Sequence, residues 1–223
     1  MSVSSESELA TSHRIAAALK EEILSGLYPP GVRIRQEDIA EQYGASRSPV
    51  REALRMLDAQ GLIKLVAHTG AWIAELSLSE CEEMYQIRER IEPLILHMSI
   101  PNLSADVLEE LQRLATAMEE NRDIETFLKL DREFHLLTYS GAQTALLGEM
   151  VDRLWNTTQH YRRAYTKLLA GNGFKPALYE HFLMLSAIKK LDVEDAERIL
   201  YGHIRRTRLE LSQHPGVFTP GNQ

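Results

Sequence analysis

Ser46-Arg47-Ser48-Pro49-Val50-Arg51-Glu52-Ala53-Leu54 reads as the start of a helix: a serine cap, a proline tolerated in the first turn, then apolar residues at helical spacing. Val50, Ala53, Leu54 and Leu57 make its inward side. Arg47, Arg51 and Arg55 recur at i, i+4, i+8 and share a stripe beside it. Guanidinium forks pair with guanine edges or phosphates, and a helix N-terminus favours anions. A solvated arginine face is the plainer reading of such a stripe, so the neighbouring elements decide. Upstream, Ile15, Leu19, Ile23 and Leu27 predict a helix over about 8–26, and Ile39 and Ala40 a short one over 36–43 ended by Gly44. Downstream, 62–66 and 71–74 read as two short strands around a turn containing Gly70. Helix, helix, tight turn, helix, hairpin is the order of a winged helix-turn-helix, expected over residues 8–76.

The architecture changes near residue 77. Ser77-Leu78-Ser79-Glu80 matches a capping box, so a new helix starts there. Breaks at Pro101-Asn102, Asn121-Arg122-Asp123, Ser140-Gly141, Gly171-Asn172-Gly173 and Leu191-Asp192 divide the rest into about six helices. A mainly α chain follows, with an all-helical bundle over 77–212 behind the winged head. The end, 213–223, carries two prolines and two glycines and reads as a loose tail.

Inside the bundle the apolar stripes carry unusual guests. Ile124, Phe127, Leu128, Asp131, Phe134, His135 and Thr138 form one inward face, with an aspartate and a histidine at i, i+4. Leu178, His181, Phe182, Leu185 and Ile188 form a second, and Val193, Ala196, Ile199, Leu200, His203 and Thr207 a third. A buried carboxylate needs a partner. Any one of these histidines alone reads as an ordinary hydrogen-bonded core residue. Together with Asp131, however, His135, His181 and His203 match the donor set of a divalent metal, because imidazole and carboxylate suit zinc first, with nickel, manganese or iron as alternatives. Structural zinc sites usually draw on cysteine, and the single Cys81 cannot complete such a set.

Composition bounds the class. Hydrophobic residues at 44% and charged residues at 26% fit a globular chain rather than a disordered one. One cysteine gives no internal disulfide, and the acidic N-terminus MSVSSESELATS has no apolar core, so a cytoplasmic protein is the expectation. No apolar run is long enough for a membrane span. The net charge of -7 excludes a chain that coats nucleic acid over its whole surface. Residues 30–64 set Arg33, Arg35, Arg47, Arg51, Arg55 and Lys64 against Glu37, Asp38, Glu41, Glu52 and Asp58. That balance is only marginally basic, so DNA affinity would rest on placed contacts and on dimer avidity.

Pro30-Gly31-Val32-Arg33-Ile34, Ile39-Ala40, the SRSPVREAL run over 46–54, Gly61-Leu62-Ile63 and Gly70 together resemble the GntR family of transcription regulators, over roughly residues 12–76. The resemblance implies a homodimer bound to a short inverted-repeat operator. It implies Arg47 and Arg51 as base readers, with Ser46 and Ser48 on phosphates. The loop of His68 and Gly70 would be the wing tip in the minor groove, with Arg35 near the backbone. Asp131-Arg132-Glu133-Phe134-His135, Glu180-His181 and Ala196…His203 resemble the FCD effector-binding domain of the FadR branch. Members with this aspartate and all three histidines hold a metal that helps bind a small organic acid, so the resemblance implies a repressor controlled by such an effector. Gln143 departs from the asparagine common at that turn.

Arg88 sits on the inward stripe Cys81, Met84, Tyr85, Arg88, Ile91, Glu92, Ile95. It reads either as a second anchor for the effector carboxylate or as the partner of Glu92 beside Pro93. Arg162 and Arg163 are expected at the surface. Two other functions compete: a metal-dependent enzyme using the four-residue cluster, and a DNA-binding protein without a ligand. The first lacks an evident general base, and the second leaves the inward polar cluster unexplained.

Overall fold

The computed structural model describes residues 3–67, 69–121, 123–169 and 175–218. Two compact units emerge. Of the described residues, one takes in 3–76 together with Asp152–His160; the other takes in Ser77–Val151 and 161–218.

In the first unit, α1 (Val3–Leu24), α2 (Gln36–Gln42) and α3 (Arg47–Ala59) surround a core of Ile15, Leu19, Ile23, Val50, Leu54 and Leu57. Gly44 has φ +57, the left-handed conformation that ends α2 and turns the chain into α3. The hairpin of β2 (Ile63–Val66) and β3 (Gly70–Ile73) is joined by a strand that periodicity did not announce, β1 (Arg33–Ile34). The antiparallel order is β1-β3-β2, with Arg33 opposite Trp72 and Lys64 opposite the same residue on the other side. Two residues are too short for a period-2 signal, so β1 is visible only through its pairing. The last carbonyls of α3 and its following turn accept side-chain donors within this unit: Arg153 reaches Ala59 O at 2.6 Å, Asn156 reaches Gln60 O at 3.0 Å, and Thr157 reaches Gly61 O at 3.1 Å. Those groups would otherwise be orphaned at a helix end.

The second unit contains α4 (Leu78–Ser99), α5 (Ala105–Glu120), α6 (Ile124–Thr138), α8 (Lys175–Lys189), α9 (Val193–Ser212) and, apart from its Asp152–His160 stretch, α7 (Ala145–Leu169). The expected mainly α architecture and the six helices are found. Ser77 and Glu80 form both bonds of the capping box on α4. α4 packs on α9, α5 on α6, and α8 on both α5 and α9. Gly141 fits where any Cβ would lie 2.4 Å from Ser99 O, and its own N–H donates to Ser99 Oγ at 2.9 Å. That close approach fixes the turn after α6. The tail departs from expectation: Pro215–Phe218 forms a 3-10 turn, and the Phe218 ring stacks on Tyr161 at 4.9 Å. Stacking of one half-buried aromatic anchors that short segment.

Candidate functional site

Arg47, Arg51 and Arg55 on α3 are all exposed, while Val50, Ala53, Leu54 and Leu57 are fully buried. The helix therefore presents one edge of cationic forks. Arg47 lies 3.5 Å from Glu37, and Arg55 lies 3.4 Å from Glu52, both exposed pairs that solvent screens. Ser46 is the N-cap residue, but its hydroxyl makes no cap bond. Ser46, Ser48 and Arg35 are exposed. Gly70 opens β3 with φ +115. His68 lies outside the described residues. Arg33, counted in the sequence only toward the charge balance and the family motif, rests its guanidinium over the Trp72 ring at 5.9 Å, beside Gly70. The signal that could have found it is the cross-strand pairing with Trp72.

In the bundle, α6, α8 and α9 each carry part of one cluster. Asp131, His135, His181 and His203 offer ligand atoms that all lie within 4.8 Å of one another. His135 Nε2 is 3.1 Å from His181 Nε2, which is 3.0 Å from Asp131 Oδ1. Phe134 closes one side, edge-on to both rings at 5.6 and 5.0 Å. Burial, reinforced by His203, holds both His135 and His181 well below the usual imidazole pKa, so both rings are neutral. Glu180 accepts from His203 Nδ1 at 2.9 Å.

These donors fit a metal ion. Three imidazoles and one carboxylate converge from three helices, and all of them but the half-buried His203 are fully buried. Donors about 2.1 Å from an ion stand at most about 4.2 Å apart, so pairs separated by up to 4.8 Å need close by no more than about 0.6 Å to reach that limit. Asp131, His135, His181 and His203 could hold it, with Glu180 orienting His203 as a carboxylate behind a ligating histidine does.

A cavity of about 30 Å³, counted as space for the centre of a water-sized sphere, adjoins the cluster. Asp131, His203, Arg162, Arg206 and Glu180 line it. Arg162 and Arg163 thus correct the sequence expectation of exposure: they are only 9% and 7% exposed. Arg162 Nη2 donates to Asp131 Oδ2, and Arg163 grips Glu125 through two bonds of 2.8 Å. Burial, and then the nearby Arg88 guanidinium, pull Arg162 down to about 9, still cationic at neutral pH. Arg206 pairs with Glu180. Burial alone would raise Glu180, but the bonds from His203 and Arg206 outweigh it and lower its pKa.

Arg88 does not line this cavity. Its Nε donates to Glu92 Oε1 at 2.5 Å, its guanidinium lies 5.0 Å from the Tyr85 ring centre, and Tyr139 donates to Glu92 at 2.8 Å. The ion-pair reading of Arg88 is the one this geometry carries.

Comparison with known proteins agrees with both halves. Residues 11–73 match the family described as bacterial regulatory proteins, gntR family, and residues 83–206 match the FCD domain. The transcriptional regulator YdhC of Bacillus subtilis is 28% identical over 191 residues, covering 83% of this chain and 84% of that protein. The gluconate operon transcriptional repressor of Bacillus licheniformis is 29% identical over 203 residues, covering 88% and 74%. The solved structure of Escherichia coli McbR/YncC superposes with a TM-score of 0.81 at 24% identity, covering 92% of this chain and 98% of that one. These relatives are transcription regulators, not enzymes. Among the described residues no helix is long and apolar enough to cross a membrane. The chain belongs to the GntR family of transcription regulators, in the group whose C-terminal half is an FCD domain.

Proposed function

We propose that this regulator acts as a homodimeric repressor. Residues 8–76 would bind an inverted-repeat operator, and residues 77–212 would sense a small organic acid at a divalent metal. The carrying observation is the convergence of Asp131, His135, His181 and His203 beside a cavity that two arginines line. Zinc is the first candidate by donor chemistry, with nickel, manganese or iron next. When bound, the ion supplies open coordination positions and positive charge for a carboxylate. The rest is done by the chain itself. Arg162 donates to Asp131 Oδ2 and orients that carboxylate. Glu180 fixes the His203 ring. Phe134 keeps one side of the cluster dry.

On DNA, Arg47 and Arg51 read base edges, Arg55 and Arg35 approach the backbone, and Ser46 and Ser48 meet phosphates. The wing with Gly70 and His68 enters the minor groove. Arg33, braced on Trp72, adds a cation beside it. The modest charge of the head is offset by two copies binding two half-sites.

Elemental analysis of protein purified without a histidine tag tests the reading. The expected content is about one divalent ion per chain, removable by chelator with a fall in melting temperature. A chain that carries no metal, and gains no stability from any first-row ion, holds a hydrogen-bonded core network there instead.

A further inference from the structure

We infer that Arg33, seated between the Trp72 ring and Gly70, is a phosphate clamp on the flank of the wing, and that Trp72 positions it. This deepens the proposed DNA-reading surface and rests on that reading.

The sheet of the head has one covered face and one open face. Ile34, Ile63, Ala71 and Ile73 are buried, whereas Arg33 and Lys64 are exposed and Trp72 is half-buried. Arg33 and Lys64 both stand opposite Trp72, so a cation, an indole and a second cation form one row across β1, β3 and β2. Residues directly opposite on one face of a sheet are close enough to interact. Arg33 uses that closeness: its guanidinium carbon lies over the indole, 5.9 Å from the ring centre. Gly70 completes the seat. A Cβ there would stand 3.4 Å from Arg33 Nε and 3.5 Å from Nη2, so a longer side chain would take the space of the fork. Among the described residues no carboxylate pairs with Arg33, whereas Arg47 and Arg55 lie beside Glu37 and Glu52.

The ring contact uses the charge of the cation and leaves its N–H donors for an oxygen ligand. A braced side chain also loses less freedom on binding than one that samples many rotamers in water. Place decides which oxygens it meets. The fork lies beside Gly70, the first residue of β3, on the flank of the hairpin rather than at its turn. When a turn enters a groove, base edges form the floor and phosphates form the walls on either side. A guanidinium on the flank therefore meets a phosphate, and a forked pair with it is among the stronger hydrogen-bonded contacts.

The test is salt-dependent DNA binding by the full-length chain, followed by fluorescence anisotropy. The probes are a duplex that the wild type selects from a random pool and an unrelated duplex of equal length. Arg33→Gln should flatten the plot of log Kd against log KCl concentration by about 0.9 per chain bound, about 1.8 for a dimer on two half-sites. Affinity should fall roughly tenfold on both duplexes, with the preferred sequence unchanged on reselection. Arg33→Lys keeps the charge and should restore most of the slope. Trp72→Val should weaken binding severalfold in the wild-type background and add nothing to Arg33→Gln, because the ring acts through the arginine. Trp72→Phe keeps a ring and should bind nearly as the wild type does. Circular dichroism and melting report whether each variant folds. An unchanged slope in folded Arg33→Gln would overturn the clamp. A changed base preference with the slope intact would make Arg33 a base reader and overturn it equally. Additive losses in Arg33→Gln/Trp72→Val, or a Trp72→Phe protein as weak as Arg33→Gln, would overturn the role of Trp72. If the wild type selects no duplex from the pool, the DNA-reading surface itself fails along with the clamp.

Discussion

Arg51 ends in solvent with an apolar helix face behind it, and that placement leaves its fork free for a base edge. Arg51→Ala should lower operator affinity by about 1–3 kcal/mol and relax base preference at one position of each half-site. A footprint and Kd unchanged from the wild type would make the stripe a solvated face. Arg88 belongs to a different class of residue. It and Glu92 are both buried, so Arg88→Ala removes the cation that neutralises a buried carboxylate, to which Tyr139 also donates. A loss of about 3–5 kcal/mol in urea unfolding is expected. Glu180 is half-buried and holds a proposed ligand from behind. Glu180→Gln should weaken metal affinity by about 10–100-fold, read by competition with a chromogenic chelator, while the fold persists.

At the level of elements, α6, α8 and α9 are ordinary amphipathic helices except where they meet. Asp131, His135 and His181 are buried there, and His203 closes the set. The pH response follows from this burial. In the folded, chelator-treated chain His135 and His181 have pKa values well below the imidazole norm, whereas in the unfolded chain both titrate near about 6.5. The unfolded state therefore binds more protons below that value. Stability should be level above about pH 7 and fall as pH drops below about 6.5, by up to ~1.4 kcal/mol per pH unit for each histidine. Urea melts of chelated protein between about pH 5 and 8 would show it. A flat profile would mean that the two rings are hydrated in the metal-free state.

For the whole molecule, regulation requires the effector to bind one arrangement of the DNA-reading heads better than another; tight binding alone shifts nothing. Only residues 74–77 separate β3 from α4, a short tether between the wing and the bundle. A bundle ordered by metal and acid can therefore bias the heads it carries. The double variant His135→Ala/His203→Ala should bind operator as the wild type does, yet ignore a small organic acid, found by thermal shift, at concentrations that release wild-type protein. Operator titrations by fluorescence anisotropy, with and without that acid, read both properties. Should the double variant fold, bind operator and still respond at the wild-type ligand concentration, the metal cluster is structural and sensing occurs elsewhere.

What the sequence determined by itself was local. The order of helices, the capping box at Ser77, the buried side of α3 and the inward register of Asp131 and His135 all follow from a period of 3.6 residues and from caps, which need no knowledge of partners. Tertiary structure decided the partners. Arg162 and Arg163 read as a solvated pair because their carboxylates, Asp131 and Glu125, stand 31 and 38 residues away on another helix. Arg88 pairs with Glu92, which also accepts from Tyr139 at the end of another helix. The same holds for Glu180 behind His203, β1 beside β3, and Phe218 against Tyr161. Each depends on how one element is rotated and set against another, and the free energy that chooses among those settings comes from packing and from satisfying buried charge across elements, which no single helical period encodes.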